Sequence, residues 1–167
     1  MQSNDKSYLV QASDYWRDRK TVEAGRLIFD NLSQEGRVKW ASGILALCVE
    51  RTGIISRVIE RILEITRNRS LWSKAHDAFS AARCLTLELE NRGNNRSEEQ
   101  TLMLAVVYLA ELAAKVTYNA TDPIDEFDED SGWWVPYCVG HILDLLQDEG
   151  FSESMWSALC NEGDPNR

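Results

Sequence analysis

Six carboxylates fall within nine residues of this chain, at Asp122, Asp125, Glu126, Asp128, Glu129 and Asp130. Phe127 lies among them, and Trp133 and Trp134 follow closely. Clustered acids speed encounter with a basic protein, and aromatic side chains supply buried anchor area. The stretch from Asp122 to Trp134 therefore reads as a docking edge for a basic partner protein. The plainer alternative is a solvated loop in which Phe127 pins the chain and one tryptophan enters the core. Calcium fits the stretch poorly. An EF-hand needs glycine at its sixth position and glutamate at its twelfth; counted from Asp128, Gly132 is fifth and Val139 is twelfth. No metal site is expected.

Cys138, His141 and Asp144 follow one another at one-turn spacing and invite a nucleophile–base reading. Side chains three apart on a helix point the same way without reaching attack geometry. No oxyanion donor accompanies them, and a Cys–His pair supplies too few ligands for zinc. The four cysteines (Cys48, Cys84, Cys138 and Cys160) are spaced 36, 54 and 22 positions apart. No CxxC occurs, so reduced, buried thiols are expected. Phosphate-binding loops, nucleophile elbows and HExxH are absent from the sequence, and no cofactor is expected. Arg69 and His76 have six residues between them, and this pair resembles the R-x4–6-H motif of HEPN-type helical ribonucleases. The resemblance covers those two positions and implies RNA cleavage by both. The expectation is a binding protein rather than an enzyme, with a HEPN-like ribonuclease using Arg69 and His76 as the alternative.

The elements that must position these residues all read as helical. Apolar positions recur at helical spacing in seven segments: about 13–32, 38–51, 54–66, 71–90, 98–118, 133–148 and 153–160. Ser13, Ser70 and Ser152 are expected N-caps, and Gly150 an expected C-terminal stop. Ser97 with Gln100 forms a capping-box signature. Leu102 to Val116 is apolar almost all round, which marks the central helix of its domain. Short connections such as 91–96 predict antiparallel hairpins. The expected fold is all-α: about seven helices forming one compact or solenoid-like bundle around the central helix. Residues 1–12 are expected to be a flexible N-terminus, 13–160 one helical domain, and 161–167 a frayed tail.

Charge adds the last constraint. The 167 residues carry a net charge of −9, distributed unevenly. Residues 1–96 hold 16 basic and 12 acidic side chains, a net of +4. Residues 97–167 hold 2 basic and 15 acidic, a net of −13. Phosphates would be repelled from the acidic half, so nucleic acid is not the expected partner there. The longest nearly apolar run, Thr101 to Ala114, has 14 residues, short of the roughly 20 that span a bilayer. With no signal-like start at Met1–Val10, a cytoplasmic location is expected. Together these features predict a regulatory module, of inhibitor, adaptor or immunity type, whose acidic half docks a basic protein. A structural homo-oligomer joined through the oppositely charged halves is a further alternative.

Overall fold

In the computed structural model, residues 7–93, 95–122 and 131–162 are described, and every regular element among them is helical. The helices are α1 (Ser7–Arg17), α2 (Thr21–Asp30), α3 (Gln34–Thr52), α4 (Arg57–Arg67), α5 (Ala75–Glu90), α6 (Glu98–Thr121), α7 (Val135–Leu146) and α8 (Glu149–Glu162). Two 3-10 turns, Arg69–Lys74 and Ser131–Trp134, lead into α5 and α7. The all-α expectation holds.

Serine hydroxyls start three of these helices. Ser33, Ser56 and Ser97 each accept a hydrogen bond from the backbone N–H three residues on, satisfying a donor that the first turn leaves open. At Ser97 the expected capping box is complete, since Gln100 Oε1 also accepts from the Ser97 N–H at 3.0 Å.

Other boundaries differ from expectation. The single helix read over 13–32 is two helices, and α1 begins at Ser7 with Ala12 fully buried, inside the span expected to be flexible. The break is a Schellman closure: Lys20 N–H donates to Tyr15 O at 2.8 Å and Arg19 N–H to Trp16 O at 3.0 Å. Arg19 takes the left-handed conformation (φ 60°) that usually calls for glycine, so no glycine announced the stop. Asn68 caps the turn at Ser70, taking the role expected of Ser70 itself. Gln147, again left-handed at φ 47°, ends α7 ahead of Gly150, which lies inside α8. The α8 cap is Asp148 rather than Ser152, its Oδ1 accepting from Phe151 N–H at 3.0 Å.

α6 is the axis of the molecule. Its buried residues, among them Val106, Val107, Leu109 and Leu112, face most of the way round the helix. α3, α4, α5 and α7 pack directly against it. α6 has the length and apolarity of a membrane-crossing helix, and in this fold those sides are covered by its neighbours. Because elements from α3 to α7 all meet one helix, the arrangement is the compact form of the two expected; in a solenoid each repeat touches only its neighbours. The α1–α2 hairpin lies against α7, and α8 lies against α3, with Trp16 and Trp156 stacked at 5.1 Å.

The α2–α7 contact depends on a missing side chain. A Cβ at Gly25 would lie 2.7 Å from Pro136 Cβ and 2.9 Å from its Cγ. Glycine inside a helix is unfavourable by about 1 kcal/mol against alanine, yet at Gly25 it permits the close crossing. Gly25→Ala is therefore expected to lower stability by about 1–3 kcal/mol through overpacking, in spite of the gain in helix propensity. Gly140→Ala in α7 is the control, because its Cβ would meet Thr21 at an ordinary 3.8 Å. Thermal unfolding should show a lowered midpoint for the first variant and an equal or raised one for the second.

Candidate functional site

The start of α7 is built on two close approaches. Besides the Gly25–Pro136 crossing, a Cβ at Gly132 would meet Val116 Cγ2 at 2.6 Å and Phe29 Cζ at 2.7 Å. The 3-10 turn is thus pressed onto the core by its backbone, and its tryptophans are left outside. Trp133 and Trp134 are 43% and 42% exposed, so neither is the core residue that the plainer reading required.

The two indoles differ in how they are held. Trp133 Nε1 donates to Asp30 Oδ1 at 2.6 Å, and the Arg26 guanidinium sits 4.6 Å from the Trp133 ring. Trp134 makes no side-chain hydrogen bond among the described residues. Its ring meets Tyr137 edge to face at 5.9 Å, and Tyr137 is itself 55% exposed. Trp133 is fixed in place, whereas Trp134 and Tyr137 present an open aromatic pair. The sequence reading did not include Tyr137. Its signal was available: one turn after Trp134, it falls on the same side of the helix.

Asp122 caps the other end of the acidic stretch. Its Oδ2 accepts from the Tyr118 hydroxyl at 2.7 Å, and that bond holds the Tyr118 phenol above its ordinary pKa. Asp125, Glu126, Phe127, Asp128, Glu129 and Asp130 lie outside the described residues.

The candidate catalytic pairs are not assembled. Arg69 lies on a 3-10 turn and reaches Glu35 at 3.3 Å, its guanidinium 5.7 Å from the Trp72 ring. His76, in the first turn of α5, has its ring 5.0 Å from that of Tyr118. No hydrogen bond or ion pair joins Arg69 to His76. Along α7, Cys138 is buried while His141 and Asp144 are exposed. Burial pushes the Cys138 thiol up to about 12, far from a nucleophilic thiolate. No group of three or more metal-ligating side chains occurs among the described residues.

Among the described residues, two ion pairs join the basic and acidic halves. Arg51 Nη2 meets Asp148 Oδ2 at 2.6 Å, and Arg83 Nη1 meets Glu111 Oε1 at 3.5 Å. Asp148 is held below the ordinary aspartate range, first by the Phe151 N–H and then by Arg51. Glu111 is the least expected of these groups, a carboxyl only 5% exposed with Oε2 lacking any hydrogen bond. Burial raises its pKa above the ordinary 4.5, against the opposing pull of Thr86 and Arg83. Cys84 also departs from expectation. All four cysteines are free, but Cys84 is exposed and Cys160 half-buried, because α5 turns Ala82, Thr86 and Leu89 inward instead.

Comparison with known protein families, with curated proteins and with solved structures gave no match to this chain.

Two measurements test this geometry. Cys84 should react with a thiol reagent at pH 8 well before Cys48 and Cys138, whose thiols burial holds at about 12. Mass spectrometry of the first adduct identifies the site. For Glu111, the native state favours the protonated carboxyl more than the unfolded chain does. Unfolding then releases a proton, so stability falls as pH rises from about the unfolded value through the raised native one, and levels off above it. Glu111→Gln should remove that pH-dependent loss, so the variant's stability should no longer fall as pH rises through the raised native value. The difference between the two proteins should vanish below pH 4.5; urea titrations at several pH values provide the check.

Proposed function

We propose that this chain is a protein-binding, regulatory module that docks a basic partner along the edge from Asp122 to Tyr137. The observation that carries the reading is the exposed Trp134–Tyr137 pair, set on a turn whose backbone is wedged against the core. Large aromatics are the side chains most often found as interface anchors. Rigid mounting limits the ordering cost of association. Next to them in sequence stand the acids of 122–130, within a half-chain of net charge −13. Such a field steers a positively charged protein toward the edge. Basic partners of this kind include nucleic-acid-binding proteins and nucleases, and an acidic module that covers their basic surface would act as an inhibitor or immunity-type protein.

The experiment begins with the protein that co-purifies with the native chain, then compares two variants against it. Trp134→Ala with Tyr137→Ala should weaken binding by about 30-fold or more, the scale of an aromatic hot spot. Joint neutralisation of Asp125, Glu126, Asp128 and Asp130 to their amides should slow association and flatten its salt dependence. Affinity retained by both variants at low salt would remove the proposal.

A further inference from the structure

Three hollows adjoin in a track along α7, each sharing wall residues with the next. The first, about 220 Å³, lies between α5, α6 and α7, with Glu90, Arg96 and Tyr108 opposite Tyr137, Cys138 and His141. The second, about 230 Å³, shares Tyr137 and His141 with it and passes over Gly140 to Arg19, Thr21 and Glu23. The third, about 610 Å³, shares Arg19, Thr21 and Asp144 with the second and runs on to Trp16, Asp148 and Glu149. α7 has 12 residues and is about 18 Å long. Gly140 leaves the middle of the track open between α7 and α2.

The walls carry an excess of negative charge. Glu23, Glu90, Asp144, Asp148 and Glu149 face the track, against Arg19 and Arg96, and Asp148 is already paired with Arg51. Glu23, Asp144 and Glu149 have no ion-pair partner among the described residues. Aromatic rings stand at both ends, Tyr108 and Tyr137 at one and Trp16 at the other. Unpaired acids beside aromatic faces suit lysine and arginine, whose aliphatic stems lie on apolar surface while their charged ends reach carboxylates or rings.

We infer that the track along α7 receives a short lysine- and arginine-rich segment of a protein partner. The inference rests on the docking reading above and deepens it, since the track opens at Tyr137 and continues for the length of α7. The partner's basic segment would run from the aromatic pair toward Asp144 and Glu149.

The test uses the full chain and a labelled 12-residue lysine–leucine peptide, with a glutamate–leucine peptide as control. Fluorescence anisotropy should show binding of the first and not the second. Glu23→Lys with Asp144→Lys should weaken it at least tenfold. Glu50→Lys with Glu60→Lys, the same charge change at exposed positions on α3 and α4, should weaken it no more than threefold. In amide NMR spectra the Gly140 signal should shift on titration. Equal losses in the two charge-reversed proteins, a stationary Gly140 signal, or no binding of the basic peptide would each overturn the track assignment. Binding that survives Glu23→Lys with Asp144→Lys but is lost in Trp134→Ala with Tyr137→Ala would sink the track and leave the docking edge standing. The converse result would support the track and remove the aromatic edge.

Discussion

The fold depends on keeping water from α6. A helix of 24 residues with apolar side chains around its whole circumference cannot be satisfied by one neighbour, because a single packed face leaves the opposite one wet. Four helices cover it, and the small residues Ala105, Ala110, Ala113 and Ala114 give them room to approach. Polar groups caught in this enclosure must be answered locally. The Thr117 hydroxyl donates to Ala113 O at 2.8 Å. Glu111 is answered only in part, by Arg83 from the half-exposed side of α5. A buried acid with one lone oxygen is costly, which makes it the weak point of an otherwise apolar axis.

How much of this could be read from the residues depended on which physical signal was local. The Ser97–Gln100 box was legible because both partners lie within four residues. The all-round apolarity of 102–116 was legible because periodicity needs no knowledge of neighbours. The stops at Arg19 and Gln147 were not, because these side chains adopt left-handed backbone where glycine is the usual marker. Gly150 misled for the same reason: it carries the marker and does not use the conformation. Ser152 was displaced as a cap by Asp148, which also meets Arg51 from α3 at a distance of 97 positions in sequence. That pairing is a tertiary fact, invisible to a local rule. Gly25 is unfavourable in a helix by local rules, and only the packing of Pro136 against it accounts for it.

The candidate site divides in the same way. Acid and aromatic residue types were evident, and they directed attention to the start of α7. Their state was not evident: Trp133 is tied to Asp30 and Arg26 from α2, whereas Trp134 is free to pair with Tyr137. The Cys138, His141 and Asp144 spacing is kept in α7, where the thiol is buried and the other two are exposed. It could not show that the helices packed on α7 bury the thiol and leave the other two outside. A short motif fixes direction along one helix; burial is decided by the helices beside it.

The charge split then takes on a structural meaning. If its purpose were to hold the two halves of one chain together, ion pairs between them should be numerous and enclosed. Among the described residues two such pairs are seen, Arg51–Asp148 and Arg83–Glu111, and each has an arginine more than two-fifths exposed. Arg51–Asp148 lies at the surface, where a pair contributes of order 0–1 kcal/mol, and Arg83 offsets only part of the cost of burying Glu111. The core around α6 already specifies the arrangement of the helices. Among the described residues, Asp144 and Glu149 of the second half form no internal ion pair, and Glu23 from the first half joins them beside α7. Uncompensated charge concentrated on one side of a rigid helix favours association with something outside the fold, and that is the physical basis for reading α7 as the working face.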